Sequence, residues 1–142
     1  MIRLIESGTA ALLGLLLAVS ISITSYAAGQ ERLTLLPSPA PDNSSLSRVV
    51  ANESGEIYLS WVSQDAERAT LSFARLASEG WDVAQVISGG GNWFVNWADF
   101  PVLSVDSSGM VAHWLQMSAT GTYDYEIRAR FYAQDKATWT EA

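Results

Sequence analysis

Ten consecutive positions hold the densest set of side chains suited to a ligand: Asn92-Trp93-Phe94-Val95-Asn96-Trp97-Ala98-Asp99-Phe100-Pro101. Flat indole faces stack on the apolar side of a sugar ring, while neighbouring amides and carboxylates meet its hydroxyls. Trp93, Asn96, Trp97 and Asp99 are therefore the candidate ligand-binding residues. Aromatics that follow a glycine run also fill gaps between sheets, so two of Trp93, Phe94 and Trp97 are expected in the core.

Other chemistry has fewer residues to work with. His113 is the only histidine, and no cysteine is present, so neither a zinc site nor a Ser-His-Asp arrangement is expected. Asp106-Ser107-Ser108-Gly109 supplies a turn without the clustered oxygens that calcium needs. Gly89-Gly90-Gly91 lacks the following Lys-Ser/Thr and helix of a phosphate loop, and reads as a mobile turn. Neither a metal nor a cofactor is expected.

These residues belong to a chain of 142, enough for one domain, with 8 basic and 15 acidic side chains and a net charge of −7. An acidic surface lacks the electrostatic footprint of a nucleic-acid binder. An apolar share of 49% excludes a disordered chain.

Much of that apolar content lies at the N-terminus. Arg3 gives a thin positive region, Ala10 to Ile23 an apolar core, and Ser25-Tyr26-Ala27 a small-x-small cleavage signal. This is the anatomy of a signal peptide over residues 1–27, which places the protein in the periplasm or outside the cell. The alternative is an uncleaved membrane anchor, and only then would the membrane be a partner. Residues 28–46 form a linker whose Pro37, Pro39 and Pro41 favour an extended lead-in.

From Ser47 onward the pattern has period two. Tyr123, Tyr125, Ile127, Ala129 and Phe131 alternate with Asp124, Glu126, Arg128, Arg130 and Tyr132, which predicts a half-buried strand with one charged face. Arg128 and Arg130 beside Glu126 suggest cross-strand charge pairs. Ile57, Leu59 and Trp61 alternate likewise, as do Val111, His113, Leu115 and Met117, and Gly-rich or Ser-rich turns lie between. The chain is all-β. Its halves also match: Gly55 with Gly109, Trp61 with Trp114, Arg75 with Arg130, and Trp81 with Trp139, at offsets between 53 and 58 residues. Such a repeat fits propeller blades, or two sheets of a small sandwich, and periodicity alone does not choose.

The second half carries a resemblance. Ala133-Gln134-Asp135-Lys136-Ala137-Thr138-Trp139 resembles the Asp box, S-x-D-x-G-x-T-W, of sialidase-type (BNR-repeat) β-propellers. Ala133 replaces the serine, the glycine is absent, and the spacing is one residue shorter. Upstream, Asp99-Phe100-Pro101-Val102-Leu103 and Asp106-Ser107-Ser108-Gly109-Met110-Val111-Ala112 resemble the R-I-P-x-L…D-G-x-L-x-A opening of a sialidase blade. The resemblance implies an incomplete sialidase-like propeller of about two blades, 47–88 and 99–142, joined by a connecting loop over 89–98. It makes Asp135, Thr138 and Trp139 structural Asp-box residues, with the carboxylate accepting turn N–H groups and Thr138 and Trp139 pinning the hairpin.

For catalysis the resemblance implies an arginine cluster, a Tyr–Glu nucleophile pair and an acidic acid/base residue. Asp124 stands roughly at the acid/base place, where a solvated strand-end carboxylate is the competing reading. Asp99 stands where the first carboxylate-binding arginine belongs, and an anion there repels an acidic sugar. The expectation is thus an exported segment, non-catalytic alone, that serves as a glycan- or protein-contacting scaffold. The alternatives are the first part of a glycoside hydrolase whose catalytic residues lie in further blades, and a small carbohydrate-binding sandwich. Expected partners are a glycan or exported protein, and either the remaining blades or a second copy.

Overall fold

The computed structural model describes residues 33–133 and 135–142; the expected signal peptide lies outside them. Leu36 to Ala142 make one compact unit, and every regular element among the described residues is a β-strand.

The first half is an antiparallel meander. β1 (Ser44–Ala51), β2 (Ile57–Gln64) and β3 (Ala69–Ala77) pair in order. The fourth place is shared by β4 (Gly80–Trp81), on the far end of β3, and β5 (Gln85–Gly90), on its near end. The second half repeats the plan with the split at its start. β6 (Trp93–Phe94) and β7 (Val102–Asp106) share one edge of β8 (Gly109–Met117), and β9 (Tyr125–Ala133) and β10 (Thr138–Trp139) follow. Two sheets of four antiparallel places result.

The first turn of each meander is closed in the same way. The Asn52 side-chain oxygen accepts the N–H groups of Ser54 and Glu56, at 3.1 and 2.9 Å. The Asp106 carboxylate accepts those of Ser108 and Gly109, at 2.7 and 3.1 Å. Both are Asx turns, in which a short polar side chain replaces a backbone acceptor. Gly55 and Gly109 take φ of 80° and 147°, a region glycine enters without strain.

Superposing these turns and following the ladders matches Trp61 with Trp114, Ser72 with Arg128, Leu76 with Tyr132, and Trp81 with Trp139. The tryptophan matches expected from sequence hold. The arginine match does not: register sets Arg130 against Ala74, because the β8–β9 connection is three residues longer than the β2–β3 connection.

The core lies between the sheets. Val62, Leu71, Phe73 and Ile87 of the first pack with Leu103 and Ala112 of the second. An aromatic series, Tyr58–Phe73–Trp139–Tyr132, crosses from one sheet to the other, with centroids 6.3, 6.2 and 5.4 Å apart. Strand alternation puts Trp114 and Arg130 on the same side as Ala112, and the Arg130 guanidinium donates to the Ile87 carbonyl at 2.8 Å.

The counterparts of these inward residues face the other way. Leu103, Ala112, Trp114 and Arg130 match Val49, Leu59, Trp61 and Ala74, which alternation places on the side of the first sheet away from the core. The two meanders are therefore stacked head to tail, the inner side of the first on the non-equivalent side of the second. A two-fold sandwich would turn equivalent positions toward each other.

Three local expectations change. β9 shows its apolar side, with Ile127 72% and Phe131 59% exposed, while Arg130 faces inward. The charge pair is within one strand: Arg128 bonds Glu126, two residues away. The glycine run is strand, since Gly89 and Gly90 pair with Thr70 and Ala69. A Cβ on Gly89 would lie 2.9 Å from the Ala69 carbonyl oxygen, so glycine is what allows β5 so close to β3. The stretch 89–98 accordingly holds the end of β5 and all of β6.

Candidate functional site

The aromatic segment divides between packing and exposure. β6 pairs with Leu115 and Gln116 of β8, which lays Trp93 on Trp114 at 5.0 Å and Phe94 on Tyr125 at 4.9 Å, both stacked. Those two rings belong to the fold. Trp97 does not: it is 86% exposed.

The loop that presents Trp97 is fixed at both ends. The Asn96 side-chain oxygen accepts the N–H groups of Ala98 and Asp99 at 2.7 and 2.8 Å, so Asn96 spends its acceptor on shape. Pro101 is fully buried and anchors the return into β7. Between these points Asp99 is held at the rim of a cleft of about 310 Å³, lined also by Arg48, Phe100, Val102, His113, Leu115 and Ile127. Arg48 comes from β1, which runs beside β7. The floor is apolar, and the rim carries a carboxylate, a guanidinium and an imidazole. Such a cleft can seat a ring with one apolar face and direct hydrogen bonds to its edge.

Known proteins offer no guide to this cleft: the chain matches no family model, no curated protein and no solved structure. What it can do rests on its own residues.

Asp124 does not line the cleft. It sits exposed in the β8–β9 loop, where its carboxylate accepts the Gly121 N–H at 2.9 Å and its carbonyl accepts the Ser118 N–H at 2.8 Å. Its geometry is that of a loop clasp. A Cβ on Gly121 would collide with the Asp124 carboxylate, so the glycine keeps the clasp closed.

The Asp-box residues occupy the β9–β10 hairpin. Trp139 stands edge-on to Phe73 and to Tyr132, pinning the hairpin across the core. Asp135 and Thr138 are exposed, and among the described residues no hydrogen bond reaches the Asp135 carboxylate. Thr140 ties the strands instead, its Oγ1 accepting the Phe131 N–H at 3.0 Å. Ala137, at the place of the missing glycine, takes φ of 50°.

One cluster was not apparent from sequence. Glu56, Tyr58 and Asn52 line a cleft of about 390 Å³ between the first turns of the two meanders, with Asp106 opposite. The Tyr58 hydroxyl donates to Glu56 at 3.4 Å, and Arg75 bridges Glu56 and Asp82 at 3.1 and 3.0 Å. A Tyr–Glu pair invites comparison with a nucleophile and its base, but the electrostatics oppose it. Hydrogen bonds from Asn52 and Arg75 hold the Glu56 carboxyl below its usual range, which makes it a poor base. Burial, then the Glu56 charge, raises the Tyr58 hydroxyl, the wrong direction for a nucleophile. Through Asn52, Glu56 and Arg75 the cluster ties the first turn to β3 and to Asp82. Among the described residues no group of three or more metal-ligating side chains comes together.

Proposed function

We propose that this chain is a two-blade segment of an exported, sialidase-like β-propeller, non-catalytic by itself, that serves as a glycan- or protein-contacting scaffold. The observation that carries the reading is the head-to-tail stacking of two four-place meanders, since blades are four-stranded meanders repeated about an axis. The first strands β1 and β7 lie side by side, as strands nearest a common axis must. Trp81 and Trp139 recur in the fourth place of each meander, and Ala137, at the place of the missing glycine, adopts the left-handed conformation that glycine enters freely.

The contact surface is Trp97 with the adjoining Asp99–Arg48–His113 cleft. Glycoside hydrolysis needs two carboxyl groups flanking one bond, and among the described residues Asp99 is the only carboxylate lining this cleft. The ring that suits it is a neutral sugar: its hydroxyls meet Asp99 and Arg48 while its apolar side meets Trp97. The test is titration of the full chain with a panel of neutral oligosaccharides, read by tryptophan fluorescence, beside a fluorogenic sialoside assay. Binding that falls at least about tenfold in Trp97→Ala, the value of one lost stacking contact, with no sialoside turnover, supports the reading. Binding indifferent to Trp97, or turnover that disappears in Asp124→Ala, overturns it.

A further inference from the structure

We propose that the Asp99 cleft is one end of a groove across the outward face of the second meander, and that a second subsite at Phe131 and Ser104 binds the far end of a linear, neutral oligosaccharide. Leu103 and Ala112 face the core, so alternation turns Val102, Ser104, Val111 and His113 outward. The ladders set these side chains in rows. Val102, His113 and Ala129 make one row, and Ser104, Val111 and Phe131 make the next, about 7 Å further along the strands. Val102 and His113 line the Asp99 cleft. The next row lines a second cleft, also of about 310 Å³, which ends at the Asp106–Gly109 turn. From the Leu115–Ile127 row to that turn the groove follows β8 for about 20 Å, room for about four linked sugar rings.

The second cleft repeats the chemistry of the first. Phe131, 59% exposed, offers a flat ring as Trp97 does, and Val111 supplies an apolar floor. Ser104 and Ser108 bring hydroxyls to its edge. The Ser108 hydroxyl donates to Asp106 at 2.6 Å, which leaves its oxygen to accept from a ligand. The Asp106 carboxylate is engaged by Ser108 and Gly109, and in the first cleft Arg48 accompanies Asp99, so an uncharged chain suits both ends. An extended peptide fits less well. It gains affinity from main-chain hydrogen bonds at an open strand edge, whereas β8, which carries the middle of the groove, is paired on both sides. What the groove presents is rings, an apolar floor and hydroxyls, the surface that sugar rings recognise.

The inference deepens, and rests on, the reading of the Asp99 cleft as a sugar site. The full chain is titrated by calorimetry with linear β-linked gluco-, manno- and xylo-oligosaccharides, from disaccharide to hexasaccharide. The hexasaccharide should bind at least about tenfold tighter than the disaccharide, the effect of one added stacking contact. Phe131→Ala should abolish that gain, and so should Ser104→Arg, which fills the second cleft and leaves the ring in place. Near-UV circular dichroism shows that each variant is folded. Trp97→Ala should weaken binding of both lengths. Equal affinity for the two lengths, or a gain that survives either variant, overturns the inference, while Trp97-dependent binding of the disaccharide leaves the cleft reading standing. Absence of binding throughout the panel, or binding indifferent to Trp97, overturns both. Self-association that Phe131→Ala dissolves also overturns the inference, since a second copy would then cover the groove.

Discussion

The two meanders share one strand plan and one kind of first turn, yet the first buries both sides of its central strands while the second leaves one side of β9 in water. Leu71 in β3 is fully buried, and its counterpart Ile127 in β9 is 72% exposed. Trp61 and Trp114 are equally buried, one on the side away from the core and one within it. The local pattern is the same for both, and the packing of one sheet on the other decides that Leu71 is covered.

The sharpest break of this comparison is truncation of the matched pair. Leu71→Ala leaves a cavity between the sheets and should cost about 3 kcal/mol. Ile127→Ala should cost within about 0.5 kcal/mol, as for an exposed site. Urea denaturation measures both. Similar losses would mean that Ile127 is packed within its own chain.

That asymmetry marks how far the sequence could be read. Alternation in β2, β8 and β9, with turns at Gly55 and Gly109, was enough for an all-β chain and for the Trp61–Trp114 and Trp81–Trp139 repeat. Alternation has two phases and names neither as inner, so β9 was expected to bury Ile127 and Phe131 and instead buries the Arg130 side. The register of β3 against β9 depended on the length of the β8–β9 connection, which shifted the arginine match by one residue. The glycine run was misread because glycine marks both turns and close strand approach; only the Ala69 carbonyl beside Gly89 separates the two. In the candidate site, Trp97 and Asp99 lie close in sequence; of the two aromatics expected in the core, Trp93 packs against it and Phe94 instead stacks on Tyr125 on the outward side of β8. Arg48 was not legible. It reaches the cleft from β1, through the adjacency of β1 and β7, which no local pattern encodes.

A milder test compares the last turns. In the first meander Gly80 takes the positive φ, at 126°, just before Trp81; in the second Ala137 does so, at 50°, ahead of Trp139. An L-residue in the left-handed region is strained by about 1–2 kcal/mol, part of which glycine gives back through its freer unfolded chain. Ala137→Gly should therefore stabilise the chain by about 0.5–1 kcal/mol, read as a higher urea midpoint at unchanged slope. A loss of stability would show that the φ of 50° at Ala137 carries no strain in the β9–β10 hairpin.

The smallest effect separates the first turns. Both are closed by a side-chain oxygen, but Asn52 is an amide that does not titrate and Asp106 is a carboxylate. The Ser108 hydroxyl at 2.6 Å, then the Ser108 and Gly109 N–H groups, hold the Asp106 carboxyl below its usual range. A carboxyl lowered on folding contributes stability that is fully present above its unfolded value, about 3.9, and lost as pH falls through its folded value. Asp65 and Glu56 are lowered in the same direction, by the Glu67 and Arg68 N–H groups and by Asn52 and Arg75, so they titrate in the same window. Asp106→Asn converts the second turn to the chemistry of the first: the amide oxygen still accepts the two backbone N–H groups, and one of three acid-sensitive contributions is removed. Urea midpoints between pH 5 and pH 3 should fall less steeply in the variant than in the parent, with the two curves nearest in shape at neutral pH. An unchanged slope would mean that the Asp106 turn already opens in the native protein before its carboxyl is protonated.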